Sequence, residues 1–177
     1  CVLSYATETQ RTALPHINRI QAEDRDEAVT MDAATRRNLE IDTNLTGGES
    51  NTLFELFNTA ATCMGSRLLC RWLNRPLRLK SILEQRQHAI STLLQDYRFE
   101  VVRAPLKVIG DLERILGRIA LRSARPRDLS RLCLSLAVYP QLQSLLTGFS
   151  TALNTSERLD QLASDISTFP ELVTLLN

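Results

Sequence analysis

The segment GDLERILGRIALRSARPRDL, residues 110–129, constrains the fold of this chain more than any other. Its apolar residues recur at the spacing of an α-helix and form one stripe: Leu112, Ile115, Leu116 and Ile119. Asp111 is a candidate N-cap, where a carboxylate favours the positive end of the helix dipole. Pro126 disfavours helical geometry at Arg125, and the helical pattern restarts after it. The segment therefore predicts two helices that meet at a fixed corner.

A row of arginines lies on the flank of the first predicted helix. It consists of Arg114, Arg118, Arg122 and Arg125, at steps of four, four and three. Between residues 103 and 131 the chain carries eight basic side chains against three acidic ones. One interpretation is that the row contacts phosphates of a nucleic acid, each contact adding to a salt-dependent affinity. A second is that the arginines pair with carboxylates and cover apolar surface with their stems. A third is that they dock acidic residues of a neighbouring domain.

Most of the remaining chain also has the pattern of short helices joined by polar turns. Helical patterns cover residues 1–10, 64–73, 79–96, 99–108 and 127–138, and further helices begin at the Asp32 cap, at the Thr52–Glu55 capping-box pattern, near Pro140 and near Pro170. Two apolar stretches, residues 17–20 and 28–31, flank a charged turn and favour a small hairpin. The predicted fold is all-α, an irregular multi-helix bundle with at most a small β-hairpin near the N-terminus.

Two of these helices predict particular buried residues. The expected core stripe of the helix over 79–96 is Leu79, Ile82, Leu83, Ile90, Leu93 and Leu94. Trp72 could serve as a stacking platform for a nucleic-acid base, but its helical spacing favours a place in the core.

The composition excludes several classes of protein. With 177 residues the chain can form one domain with a sizeable core. A net charge of +1 excludes a bulk electrostatic attraction to nucleic acid, so any such contact has to be local. No apolar run approaches the ~20 residues that a membrane span requires. The four cysteines form no Cys-x-x-Cys pair, and we expect free thiols in a reducing cytoplasm, not a zinc site or disulfides.

The residues provide no positive evidence for an active site. Gly47 and Gly48 lack the lysine that a phosphate-binding loop places after its glycines, so they predict a turn. Nowhere does a nucleophile group with a base, or a set of metal ligands with one another. We therefore predict no catalytic, cofactor-binding or metal-binding residue.

Both ends of the sequence suggest a segment of a longer protein. The chain opens at Cys1 inside a predicted helix and closes after Leu175 and Leu176 without a C-terminal cap. We expect the last helix to expose Leu172, Leu175 and Leu176 to a missing partner surface.

Four segments resemble, in this order and at this spacing, the MutS family of bacterial DNA mismatch repair proteins. They are MDAATRRNLEI (residues 31–41), NLTGGESNTLFELFN, MGSRLLCRWLNRPL (64–77) and GDLERILGRIALRSARPRDL (110–129). QRTALPHI, residues 10–17, extends the likeness over nearly the whole chain. The matching region of that family is its mostly helical core, or lever, domain. The resemblance thus implies that residues 1–177 are the first part of this domain, ending before the clamp, with residues 1–14 a helix from a preceding connector domain.

The resemblance also implies a function for the parent protein. That protein is an ATPase that uses ATP and Mg, binds mismatched duplex DNA through other domains, forms a homodimer and works in the cytoplasm with downstream mismatch repair factors, without a membrane. The family's Phe-x-Glu mismatch probe and its Walker site lie in domains that this sequence does not contain, so no catalytic or base-reading residue is carried over. The implied role is mechanical, coupling DNA occupancy to the nucleotide site. Two alternatives stay open: a stand-alone nucleic-acid-binding module that uses Arg114, Arg118 and Arg122, and a helical enzyme or protein-interaction scaffold.

Overall fold

A computed structural model describes residues 2–10, 17, 27–150 and 156–176. Its α-helices are α1 (Val2–Gln10), α2 (Ala33–Asn38), α3 (Leu53–Phe57), α4 (Cys63–Asn74), α5 (Lys80–Leu94), α6 (Arg98–Leu106), α7 (Leu112–Ala120), α8 (Pro126–Ala137), α9 (Tyr139–Ser150), α10 (Glu157–Asp165) and α11 (Pro170–Leu176), with a 3₁₀ turn at Gln95–Tyr97. The fold is all-α, as the sequence predicts. The described part of the chain contains no strand.

The predicted N-terminal hairpin depends on residues 18–26, which lie outside the described residues. Ala28 forms an isolated antiparallel bridge with Leu77, in the connection between α4 and α5. The Val29 N–H donates to the Pro76 carbonyl at 2.8 Å on one side of this bridge. Residues 28 and 29 therefore pair with the α4–α5 connection.

Side-chain caps start several helices where the sequence places them. Asp32 accepts the Thr35 N–H at 2.7 Å at the start of α2, and Thr52 accepts the Glu55 N–H at 3.2 Å at the start of α3. The second half of the capping box differs, because the Glu55 carboxylate accepts the Asn51 N–H. Each cap satisfies a backbone donor that has no partner inside its helix.

The buried apolar residues form two clusters. The first joins α5, α6, α9 and α10 around Ala89, Leu146, Leu159 and Ala163. The second joins α7 and α8 around Leu112, Ile115, Leu132 and Leu136, with partly buried residues of α4 and α11 packed against it. The consecutive helices α7 and α8 therefore meet two helices that are distant in sequence, α4 and α11, at the second cluster, and the predicted corner is its centre.

The predicted core stripe of α5 is largely wrong. Ala89 and Thr92 are the buried residues of this helix, whereas Leu83, Ile90 and Leu94 are exposed. The reason is the position of the neighbouring helices: α6 and α10 pack against the side of α5 that carries its small residues. Trp72 also lies outside the core, with 40% of its surface exposed.

The predicted exposure of three leucines in the C-terminal helix is confirmed for two of them. Leu172 and Leu175 face solvent, while Leu176 packs against the second cluster. The three described cysteines, Cys63, Cys70 and Cys133, form no disulfide with one another. Within the described ranges no group of His, Cys, Asp and Glu residues could hold a metal ion, and no helix has the length and apolarity to cross a bilayer.

Candidate functional site

The corner between α7 and α8 carries the predicted arginine row, but the row does not lie on one helix. α7 ends at Ala120, before Arg122 and Arg125. Arg122 adopts a left-handed backbone conformation with φ 52°. The Arg122 N–H donates to the Ile119 carbonyl at 3.0 Å, and the Ser123 N–H to the Arg118 carbonyl at 2.9 Å. These two bonds form a Schellman motif, which ends the helix and turns the chain toward α8.

Arg118 forms an ion pair across the corner. Its Nη1 donates to Asp128 Oδ1 at 2.8 Å, and Asp128 is only 7% exposed. The other carboxylate oxygen accepts the Arg125 N–H at 3.0 Å at the start of α8. The Arg125 amide and the Arg118 charge hold the pKa of Asp128 below its usual range. Asp128 therefore caps α8 and ties it to α7 at the same time.

Asp111 performs the equivalent role at the other end of α7. It caps the helix by accepting the Arg114 N–H at 3.4 Å, and the Arg114 Nε lies 3.6 Å from its Oδ2. Arg67, on α4, donates to both Asp111 oxygens at 2.7 and 2.8 Å and also binds Glu113. The Arg67 hydrogen bonds hold the pKa of Asp111 below its ordinary value. Such a bidentate pair fixes both position and orientation.

A buried hydroxyl fixes the approach to α7 against α8. Ser135 is fully buried, accepts the Gly110 N–H at 2.9 Å and donates to the Arg131 carbonyl at 2.6 Å. A Cβ atom on Gly110 would lie 2.6 Å from Arg131 Cγ. A side chain at residue 110 would therefore require the Arg131 side chain to move away from the connection before α7.

The four predicted site residues thus have different surroundings. Arg118 is paired across the corner, and Arg114 is close to Asp111 on its own helix. Arg125 begins α8, and Arg122 has no carboxylate within 4.0 Å among the described residues. The sequence did not indicate Arg67, although its face on α4 was recognisable from the spacing of Arg67 and Arg71. The arrangement holds helices at fixed angles and places no nucleophile beside a base at the corner.

Residues 34–175 match the family model described as MutS domain III. The match covers most of the chain, including the whole corner and both apolar clusters.

Proposed function

The chain belongs to the MutS domain III family, and on that premise we propose that it is the lever of a DNA mismatch repair ATPase. In this proposal the helices pass a conformational change between the part of the parent protein that binds mismatched duplex DNA and the part that binds ATP and Mg. The chain itself binds no nucleotide and catalyses no reaction. The parent acts as a homodimer with downstream mismatch repair factors in the cytoplasm.

The observation that supports this role is the double brace of α7. At its N-terminus α7 is held to α4 through the Arg67–Asp111 pair, and near its C-terminus to α8 through the Arg118–Asp128 pair. Both carboxylates also cap a helix, so a displacement of one helix would break a cap as well as an ion pair. A brace that has to break before its helices can move favours a change between discrete arrangements, and such an element can couple two sites that both bias its equilibrium.

The apolar clusters support the same role. Because the second cluster joins helices from three separate parts of the chain, a rotation of α11 or α4 is transferred to α7 and α8 as a unit. Gln143 adds a polar link within the first cluster, since its side-chain amide donates to the carbonyls of Ala163 and Ile166 at 3.2 and 3.0 Å. Close-packed interiors of this kind transmit strain.

The test is to break the corner in the full-length parent protein. We expect Asp128→Ala to reduce the stimulation of ATP turnover by mismatched duplex about 5- to 150-fold, the range of typical coupling free energies, while basal turnover and duplex affinity are retained. Lys107→Ala is the matched control, because Lys107 is exposed and lies outside the corner. Stimulation of the Asp128→Ala protein equal to that of the Lys107→Ala protein would contradict the coupling role.

A second test uses the 177-residue chain. We expect its affinity for a mismatched duplex at physiological salt to be weak or undetectable, and its ATP turnover to be absent. Submicromolar, mismatch-selective binding measured by fluorescence anisotropy would favour the stand-alone nucleic-acid module.

A further inference from the structure

Trp72 and Arg86 form a stacked pair between α4 and α5. The Arg86 guanidinium carbon lies 3.8 Å from the centre of the Trp72 ring. The indole is 40% exposed, so the pair lies at the surface. Stacking engages the flat face of a guanidinium and leaves its in-plane N–H donors available for another group.

A second guanidinium, that of Arg158 on α10, acts on the charge of Arg86. α5 packs on α10 through Ala89 and Leu159. Ala89 lies one helical turn after Arg86, and Leu159 directly follows Arg158. Burial, and then the charge of Arg158, lower the pKa of Arg86, which stays protonated at neutral pH. Among the described residues no carboxylate lies within 4.0 Å of either guanidinium. The two positive charges therefore repel each other, and no described carboxylate within 4.0 Å compensates for them.

Exposed apolar side chains flank each member of the stacked pair along its own helix. Leu68 precedes Trp72 by one helical turn on α4, and Leu83 and Ile90 lie three residues before and four residues after Arg86 on α5. Their exposed fractions are 45%, 36% and 57%. The Trp72 patch consists of Leu68, Trp72, Leu83, Arg86 and Ile90, with Arg158 at its edge.

We propose that the Trp72 patch docks an amphipathic helix of a partner protein that carries a carboxylate between its apolar positions. The apolar side chains of such a helix cover the exposed leucines and isoleucine, and its carboxylate accepts hydrogen bonds from Arg86 and neutralises the repulsion with Arg158. Tryptophan and arginine are the residues that dominate protein interfaces when they lie at the centre of an apolar surround.

The same geometry disfavours a nucleic acid as the occupant. A base would have to stack on the Trp72 face, and Arg86 already covers one side of that ring. A phosphate backbone gains nothing from the exposed side chains of Leu68 and Ile90, because it offers no apolar surface to them. Charge and apolarity together therefore fit an acidic amphipathic helix.

Trp72 is the only tryptophan of the chain, and its fluorescence reports directly on the patch. The probe is a synthetic helical peptide with a first leucine, further leucines three and seven residues after it, and a glutamate between these apolar positions. The matched peptide has glutamine in place of glutamate. We expect the glutamate peptide to change Trp72 emission and to bind about tenfold more tightly than the glutamine peptide.

The variants Arg158→Gln and Arg86→Gln test whether these two arginines cause the preference for the glutamate peptide. We expect the exposed Arg158→Gln change to reduce the preference for the glutamate peptide about threefold, and Arg86→Gln to abolish it. Arg122→Gln removes an arginine far from the patch in sequence and retains the full preference. Circular dichroism shows whether each variant is folded. If Arg86→Gln is unfolded, the result for Arg158→Gln alone decides the test.

Three outcomes would overturn the proposal. One is equal affinity of the two peptides for the unmodified chain. Another is a glutamate preference that survives in both Arg158→Gln and Arg86→Gln. The third is a larger change of Trp72 emission with a DNA duplex than with the glutamate peptide at equal concentration, which would assign the patch to nucleic acid.

Discussion

The α7–α8 corner and the Trp72 patch use arginine in opposite ways. At the corner, Arg67 and Arg118 bind carboxylates of the same chain, and each of those carboxylates also caps a helix. At the patch, Arg86 and Arg158 have no carboxylate within 4.0 Å in the part of the chain that the structure describes. The comparison teaches that a count of arginines does not separate an internal brace from an outward-facing site. What distinguishes the two is whether the arginine has a carboxylate partner within the described chain.

The largest difference between the two regions should appear when an isoleucine is truncated in each. Ile115 is 5% exposed at the centre of the corner, and Ile90 is 57% exposed in the patch. We expect Ile115→Ala to lower the free energy of unfolding by about 2–5 kcal/mol, because it leaves a cavity. Ile90→Ala should change it by less than about 0.5 kcal/mol. Urea denaturation measures both, and similar losses would mean that the corner is not the stable core.

Removal of one charge from each region should have a smaller effect. Asp111→Ala removes the cap of α7 and the partner of Arg67, so we expect a loss of about 0.5–2 kcal/mol in the free energy of unfolding. Arg158→Gln removes a repulsion with Arg86 and no ion pair with a described carboxylate, so we expect unchanged or slightly higher stability. Thermal denaturation of the two variants provides the comparison. A destabilised Arg158→Gln variant would show that this residue has an internal partner.

Acid should weaken the corner and leave the patch unaffected. The pKa values of Asp111 and Asp128 lie below the ordinary value of 3.8, so the stability they supply is complete above that value. It is lost as the pH falls through the lowered values. We expect unfolding free energies measured between pH 7 and pH 2 to fall less steeply at the acid end for Asp111→Asn than for the unmodified chain. Arg158→Gln should follow the unmodified curve, since none of the described carboxylates lies within 4.0 Å of it.

The smallest expected effect concerns nucleic acid. If the corner arginines contacted phosphates, replacing Arg114, Arg118 and Arg122 by alanine would reduce the salt slope of duplex binding by about one unit for each lost contact. The internal pairing of Arg118 and the proximity of Arg114 to Asp111 lead us to expect a change of less than about one unit for the triple variant. A reduction of the salt slope by about three units would favour the hypothesis of a stand-alone nucleic-acid-binding module.

Local signals in the sequence were sufficient for the helix starts. Asp32, Thr52 and Asp111 all cap helices where their spacing predicts it, because a cap depends on neighbours within four residues. The end of α7 was not predictable in the same way. The usual signal is a glycine, and here Arg122 takes up the left-handed conformation without one.

Contacts between distant residues were not accessible from the pattern. Arg67 and Asp111 are 44 residues apart, and periodicity does not indicate which carboxylate an arginine reaches. The error at α5 has a similar origin. Hydrophobicity indicates the stripe with Leu83 and Ile90, but the small side chains of Ala89 and Thr92 allow α6 and α10 to approach on another side.

At Arg122 the positive charge of the side chain comes with a backbone conformation that is unfavourable for any residue with a side chain. An L-residue in the left-handed region costs roughly 1–2 kcal/mol relative to the right-handed region, and glycine escapes that cost. The chain nevertheless carries a long cation at the tip of this turn, where the backbone would be most relaxed without a side chain. The corner therefore keeps a conformationally costly residue at an exposed position of the turn, and replacing it by glycine would relieve the backbone and remove the positive charge at the same time.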